Sequence, residues 1–223
     1  RTILRGIRMA AYYTINMYPV QFKVDYPDRP LDRVSTLFRV FFAIPIWVVL
    51  AALSGSVLIF GLGQMMMVLV YASAFQSISI ALMLLFRNKY PRWWFDWNLA
   101  LAQFTNRVAA YMFLLTDEYP STDEEQSVHL DIAYPDTEWG LNRVMPLFKW
   151  LFAFPHYVVL FFLWIAMIFV SIAAWFAILF TGRYPRPLFD FVVGVMRWGN
   201  RVAAYAFMLV TDTYPPFRLH DEV

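Results

Sequence analysis

A sequence repeat constrains the fold of this chain more than any other feature. The segment that opens with Tyr90-Pro91-Arg92 and ends in Asn-Arg-Val-Ala-Ala-Tyr at 106–111 recurs from Tyr184-Pro185-Arg186 to the same string at 200–205. Farther upstream, Tyr26-Pro27-Asp28 matches Tyr134-Pro135-Asp136. Blocks that recur at a fixed spacing indicate repeated structural units. We therefore predict an internal duplication, with a first repeat at 18–120, an acidic linker at 121–127 and a second repeat at 128–217.

Two long segments, 40–86 and 150–182, contain no Asp, Glu, Lys or Arg. Each exceeds the roughly 18 apolar residues that indicate a transmembrane helix. The chain is 61% hydrophobic and 15% charged, whereas a typical soluble domain carries about 25% charged residues. The sequence therefore predicts an integral membrane protein that is all-α apart from two short strands. Its basic residues gather at the ends of the apolar segments, a pattern typical of membrane proteins and not of nucleic-acid binding.

The first apolar segment is too long for one crossing. As a single helix it would extend about 70 Å at 1.5 Å per residue, against a hydrocarbon core of roughly 30 Å. We predict a hairpin with spans at 41–60 and 65–86 and a break at Gly61-Leu62-Gly63-Gln64. Its basic flanks, Arg39 and Arg87, suit a hairpin whose ends share one side of the membrane. The second segment has similar flanks but suits one long span or two short ones, so its number of crossings stays open.

Two segments, 18–26 and 128–134, alternate apolar and polar side chains. This period of two predicts half-buried strands. Because a two-stranded ribbon is marginal in water, the strands should pair with each other, rest on the membrane-facing helices, or join the sheet of a partner. A Tyr-Pro-Asp turn follows each strand and leads into a basic amphipathic segment. We predict interfacial helices at 31–44 and 141–154, ending at Pro45 and Pro155.

Each repeat should end in an amphipathic helix, at 92–116 and 186–210, with one narrow polar stripe. The stripe residues recur at intervals of seven and four: Asp96, Gln103 and Arg107 in the first repeat, and Asp190, Arg197 and Arg201 in the second. Two placements fit: the stripe lies at the headgroups with its arginines snorkelling to phosphates, or it faces another helix. Four tryptophans favour the headgroup placement: Trp93, Trp94, Trp97 and Trp198. The candidate lipid-contacting or helix-pairing residues are Asp96, Arg107, Asp190, Arg197 and Arg201.

Proline follows tyrosine at seven places, and we predict that each pair marks an element boundary at the membrane surface, with the ring buried and the hydroxyl in water. The pairs begin at Tyr18, Tyr26, Tyr90, Tyr119, Tyr134, Tyr184 and Tyr214.

Catalytic, cofactor and metal chemistry have little support in the sequence. The three histidines stand in unlike contexts without a second ligand at helical spacing, and no glycine-rich phosphate loop or nucleophile elbow is present. His156 is expected to be a satisfied interfacial histidine. Asp96 and Asp190 are expected to complement the positive ends of their helices, with an ion or proton path as the alternative. We predict no enzymatic activity, no cofactor and no metal.

Motifs in the second half resemble a bacterial membrane family catalogued as domain of unknown function 4389. They are Phe-Thr-Gly-Arg-Tyr-Pro-Arg at 180–186, Phe-Asp-Phe at 189–191, the Asn-Arg-Val-Ala-Ala-Tyr string, and Thr-Asp-Thr-Tyr-Pro-Pro-Phe at 211–217. The first half departs from the family pattern with Phe-Arg-Asn-Lys-Tyr at 86–90 and with an insertion in its apolar segment. The resemblance implies two tandem copies of the family unit in a multi-pass protein of the bacterial inner membrane. It implies no activity.

Three functions are compatible with these features. The leading prediction is a non-enzymatic structural or accessory subunit of a homo-oligomer or larger membrane complex. The alternatives are a channel or transporter component and a lipid-binding or membrane-shaping protein. The expected partners are membrane lipids and further copies of itself or other membrane-protein subunits, with no nucleic acid.

Overall fold

The chain folds into helices and one small sheet, and the computed structural model describes residues 18–53, 77–87, 89–135 and 141–220. In chain order the elements are β1 (Val20–Val24), α1 (Arg33–Leu53), α2 (Ser77–Arg87), α3 (Arg92–Met112), β2 (Val128–Ile132), a 3₁₀ turn (Met145–Leu147), α4 (Lys149–Phe152), α5 (Phe154–Thr181) and α6 (Arg186–Ala206). The predicted mostly helical fold with two short strands is confirmed.

The two strands pair with each other as an antiparallel ribbon, the first of the three arrangements left open by the sequence. Phe22 lies opposite Leu130 at the centre of the register, and the apolar residue of each alternation is buried. The Asp25 N–H donates to the Ser127 carbonyl at 2.9 Å. Counting back from this hydrogen-bonded pair, Phe22 and Leu130 form a non-hydrogen-bonded pair, so their carbonyl groups point outward from the ribbon.

The elements stack in three layers. The ribbon lies on α3 and α6, with β1 against α6 and β2 against α3. Beneath them, α1 packs against α3 and α5 packs against α6, and α1 also contacts α5. The largest hydrophobic cluster runs from the buried face of the ribbon through α6 to the inner face of α5. The sheet and the apolar helices α1 and α5 therefore lie on opposite sides of the α3 and α6 layer.

Helices α1 and α5 run antiparallel. At the start of α1, each later residue contacts an earlier residue near the end of α5. The contacts are the Leu31 N–H to the Gly182 carbonyl (2.8 Å), the Arg33 guanidinium to the Phe180 carbonyl (3.4 Å) and the Trp175 indole N–H to the Thr36 carbonyl (3.1 Å). Gly182 ends α5 in the left-handed conformation, with φ of 73°, which glycine adopts at little cost.

The predicted interfacial helices are wrong in their boundaries. In the first half α1 does not end at Pro45 but continues through it to Leu53. Pro45 lies on the exposed face of α1, where its ring has room. In the second half, 141–154 is not one helix: the 3₁₀ turn containing Pro146 and the short α4 precede a break at Ala153. Proline is favoured in the first turn of a helix, and Pro146 and Pro155 each lie in the first turn of an element.

Within the described residues, α1 and α5 are long and apolar enough to cross a membrane. The second apolar segment forms one continuous helix, α5, of 28 residues, about 42 Å long. Only 17% of the most apolar stretch of α5 is buried inside the molecule, against 33% for α1. The predicted break at 61–64 lies outside the described residues, so the hairpin in the first half stays a prediction.

Candidate functional site

Two buried cations lie where the apolar helices begin, and they form the centre of the candidate site. Arg39, on α1, is 2% exposed. Its guanidinium donates to the Thr116 carbonyl at 2.7 Å and forms an ion pair with Asp117. The second carboxylate oxygen of Asp117 accepts the Asp32 N–H at 2.6 Å. The positive charge is therefore neutralised inside the protein, beside an otherwise apolar helix.

Lys149, on α4, has the same arrangement in the second half. It is fully buried, donates to the Thr211 carbonyl at 2.8 Å, and lies 2.6 Å from Asp212 Oδ1. Asp212 Oδ2 accepts the Asn142 N–H at 2.6 Å. Burial lowers the pKa of Lys149, and the hydrogen bond and charge of Asp212 oppose that shift. Breaking either pair would leave a buried charge without its partner.

The turn that follows each amphipathic helix supplies the acceptors for these cations. Leu114 and Leu209 take positive φ values of 65° and 57°, a conformation that costs a non-glycine residue roughly 1–3 kcal/mol. Each turn reverses the chain so that a threonine carbonyl and the next aspartate reach the cation. The predicted helix ends at 116 and 210 were too late, because α3 ends at Met112 and α6 at Ala206.

Aromatic rings cover both cations. Arg39 lies over the Tyr111 ring, 4.1 Å from its centroid, and Lys149 lies 5.4 Å from the centroid of Tyr205. Cation–π contacts of this kind strengthen when they are shielded from water. Burial is the main cause of the raised pKa of Tyr205, with smaller contributions from Asp212 and Tyr214.

The second half carries a polar pair where the first half is wholly apolar. The Trp198 indole donates to His156 Nδ1 at 3.1 Å, and the imidazole stacks on Phe217 with ring centroids 3.9 Å apart. In the corresponding cluster of the first half, Ile46 and Phe104 are both buried. His156 therefore has a hydrogen-bond partner, as expected of a structural histidine, although it is fully buried instead of interfacial.

An asparagine pair joins α3 to α6 at the centre of the molecule. The Asn106 amide donates to Asn200 Oδ1 at 2.9 Å, and the Asn200 amide donates back to Asn106 Oδ1 at 2.7 Å. Each residue contacts the other through the same groups, as in an interface with two-fold symmetry. The ribbon has the same symmetry, because its central pair, Phe22 and Leu130, stands at matching positions of the two halves.

Stripe residues Gln103 and Arg197 hold the edges of the ribbon. The Gln103 amide donates to the Leu130 carbonyl at 3.0 Å, and Arg197 Nε donates to the Phe22 carbonyl at 2.9 Å. These are the carbonyl groups that strand pairing leaves pointing outward, so each helix satisfies one free strand edge. Arg197 also donates to the Leu219 carbonyl in the C-terminal tail at 3.0 Å.

The two remaining arginines of the stripe also contact backbone carbonyl groups of their own chain. Arg107 donates to Ser121 at 2.9 Å, in the acidic linker. Arg201, 2% exposed, donates to the tail carbonyls of Arg218 and His220 at 3.3 and 3.4 Å. Their predicted roles in lipid contact or pairing between helices stay predictions.

The two aspartates of the stripe each lie beside an arginine outside the stripe. Asp96 and Asp190 have side chains 59% and 56% exposed, and each lies near an arginine one turn earlier, Arg92 at 3.9 Å and Arg186 at 3.6 Å. Both follow the first turn of their helices, so the predicted stabilisation of the positive helix end is wrong: that effect fades within one turn.

Five of the seven Tyr-Pro pairs lie at or within two residues of an element boundary, whereas the pairs at Tyr119 and Tyr214 lie in loops, so the boundary prediction holds only in part. The predicted surface placement is wrong for two pairs. Tyr90 and Tyr184 are 3% and 2% exposed, and burial raises the pKa of both hydroxyls. The Tyr26 hydroxyl donates to the Tyr184 carbonyl, and the Tyr134 hydroxyl donates to the Tyr90 carbonyl. The tyrosine after each strand thus binds the turn that begins the amphipathic helix of the other half. Sequence reasoning missed this link because tyrosine hydroxyls were assigned to water.

Among the residues that the structure describes, no three His, Asp or Glu side chains are grouped to hold a metal ion.

Comparison with protein families gives one match. Residues 144–218 match the family described as Domain of unknown function (DUF4389). The matched segment contains Lys149, α5, α6 and Asp212, and thus most of the second-half site. It supports the resemblance seen in the sequence, but the match is to one copy, so two tandem copies are not confirmed. No curated protein and no solved structure matches the chain.

Proposed function

We propose that this chain is a membrane-embedded protein made of two repeats of one unit, and that it acts without enzymatic chemistry as a structural or accessory subunit of a homo-oligomer or a larger membrane complex. The apolar outer face of α5 carries the proposal. Phe161, Phe162, Phe169 and Phe180 are between 60% and 79% exposed. Soluble proteins rarely leave an apolar surface of this length uncovered, so lipid chains or apolar helices of another subunit are its expected cover.

Paired contacts support the duplication. Arg39 and Asp117 correspond to Lys149 and Asp212, and the two tyrosine links between the halves correspond to each other. The asparagine pair and the ribbon relate the halves symmetrically. Independent segments would not be expected to share so many contacts at matching positions. The tyrosines and asparagines that make them belong to blocks that recur in the sequence.

The use of the polar residues favours a static role. The buried cations are neutralised by aspartates, and the stripe residues bind the ribbon, the linker and the tail. A channel or transporter component would instead direct the stripe toward a water-filled path. A lipid-binding or membrane-shaping role remains the second candidate, favoured by exposed Trp93, Trp97 and Trp150, a residue type typical of headgroup depth.

Membrane extraction followed by affinity capture tests this proposal. We expect the full-length protein to resist carbonate and to require detergent for release. After capture in mild detergent, mass spectrometry should find a second subunit at a fixed ratio, or further copies of the chain. The variant Phe162→Ala/Phe169→Ala, on the exposed apolar face of α5, should be released by carbonate more readily than the parent chain, whereas the exposed linker control Glu124→Gln should be retained like the parent chain. Release by carbonate would contradict membrane embedding, and a monomer without partners would contradict the subunit role.

A further inference from the structure

We infer that α1 and α5 lie along the membrane surface instead of crossing the bilayer, embedded by their exposed apolar faces. The ribbon, the acidic linker and both ends of α5 then stay on one side of the membrane. This inference rests on the membrane location proposed above and adds the orientation of the protein. The partner that fits the apolar face is the acyl-chain region just below a layer of anionic headgroups.

The paired contacts between the two halves define a two-fold axis. The two-fold axis that relates the halves passes between Phe22 and Leu130 and between Asn106 and Asn200. It also relates the start of α1, with Arg39, to α4 and the start of α5, with Lys149. Because α1 and α5 run antiparallel, a two-fold axis that exchanges them must be perpendicular to both. The ribbon, which lies on that axis, is therefore level with the middle of α5 and not with either end.

This placement makes an upright α5 costly. A vertical α5 would put its midpoint, and with it the ribbon, at the centre of the bilayer. The exposed face of the ribbon carries Lys23, with its side chain 72% exposed, and also His129 and Asp25, at 47% and 46%. Charged residues at that depth are rare and unfavourable unless they face a protein interior or a water-filled cavity. With α5 horizontal, the axis follows the membrane normal and the same residues face water.

The distribution of apolar surface agrees with a horizontal helix. The buried residues of α5 fall on one face along its whole length: His156, Leu160, Met167, Ala174 and Ile178. The opposite face is apolar from Phe154 to Phe180. The layer order then matches the membrane normal, with the polar ribbon outermost, α3 and α6 beneath it, and α1 and α5 in the lipid.

Basic residues at both ends of α5 provide the charge complementarity. Arg143 precedes α5, Arg183 and Arg186 follow it, and all three are exposed. A horizontal α5 brings both ends to one surface, where anionic headgroups attract each cation. Basic residues at both ends of an apolar segment favour placement of both ends on the same side of the membrane. One horizontal helix meets that requirement without a hairpin.

Single-cysteine labelling of the full chain tests the orientation, and the natural chain contains no cysteine. Arg143→Cys places a thiol before the 3₁₀ turn and α4 that lead into α5, and Arg183→Cys places one two residues after the end of α5. We expect a membrane-impermeant maleimide to label both variants from the same side of sealed vesicles and neither from the other side. Labelling of the two variants from opposite sides would overturn the inference and show that α5 crosses. Recovery of the protein without detergent would instead refute the membrane location.

Depth measurements provide an independent readout. Phe154→Cys, Phe169→Cys and Phe180→Cys carry a fluorophore on the exposed face at the two ends and the middle of α5. Lipids with quenchers at shallow and deep acyl positions should quench all three equally and mainly from the shallow position. An upright helix would make the Phe169→Cys label much deeper than the other two, and that result would overturn the inference. Variants are compared only if their circular dichroism matches that of the parent chain.

Discussion

Removal of the buried lysine should destabilise the protein strongly. In Lys149→Met, a side chain of similar length replaces the ammonium, so packing is largely kept while Asp212 and the Thr211 carbonyl lose their donor. Breaking a buried ion pair by removing one partner costs about 3–5 kcal/mol. The Asp212 side chain is 25% exposed, and we therefore expect the lower end, about 3 kcal/mol. For a chain of this size, such a loss lowers the unfolding midpoint by roughly 6–12 °C.

The first half offers a matched control for this variant. Arg39 occupies the corresponding place and reaches the same kinds of acceptor, so Lys149→Arg should change the free energy of unfolding by less than about 1 kcal/mol. Asp212→Asn should be about as harmful as Lys149→Met, and the double variant should lose less than the sum of the two, because the groups interact directly. Thermal unfolding in mild detergent, followed by circular dichroism, measures all four. A loss below 1 kcal/mol in Lys149→Met, or additive losses, would refute the argument.

Three further sets of variants test contacts elsewhere in the fold. Gly194→Ala should lower the free energy of unfolding by about 1–3 kcal/mol, because the new Cβ would lie 2.9 Å from Leu219 Cβ in the tail. Gly199→Ala, with open space around it, should raise that free energy by up to about 1 kcal/mol. Limited proteolysis should cut the tail faster in Gly194→Ala than in Gly199→Ala. His156→Ile should lose about 1–3 kcal/mol by leaving the Trp198 indole N–H without an acceptor, and adding Trp198→Phe should recover most of that loss in the same unfolding assay. Hydrogen bonds from Lys23 and then His129 lower the pKa of Asp25. The contribution of Asp25 to stability is therefore present above the unfolded-state pKa of about 3.9 and is lost as pH falls through the lower folded-state pKa. Asp25→Asn should flatten this part of an acid titration of stability, and an unchanged acid profile would rule out a stabilising role for the contacts of Asp25 with Lys23 and His129.

Much of the secondary structure could be predicted because its signals are local. Alternation alone located both strands, and the charge-free segments located the two apolar helices. The starts of α3 and α6 followed from proline at the preceding residue, since Pro91 and Pro185 both stand at the helix N-cap. The missed boundaries were those set by tertiary contacts. Neither Pro45 inside a continuous helix nor the early ends of α3 and α6 has a local signal.

The candidate site was harder to predict, since its main residues are distant in sequence. The sequence pattern presents Arg39 as the flank of a membrane segment and assigns no role to Asp117 or Asp212. Nothing local showed that each cation would be buried against an aspartate more than sixty residues away. The repeat did contain a signal: a basic residue precedes each apolar segment, and a Thr-Asp pair follows each amphipathic helix. A basic residue and an acidic residue that both recur at matching positions of two halves are candidates for a buried ion pair.

The symmetric contacts also have a consequence for how this chain can change over evolutionary time. In a dimer of identical subunits one codon serves both sides of the axis, so any substitution there occurs twice and must be tolerated twice. When both units share one gene, each side can be altered separately. Under the proposed duplication, this chain shows such separate changes: Gln103 faces Leu130 where Arg197 faces Phe22, and Ile46 and Phe104 stand where the second half has a histidine and a tryptophan. Such divergence lets one half acquire a specialised role while the other preserves the scaffold.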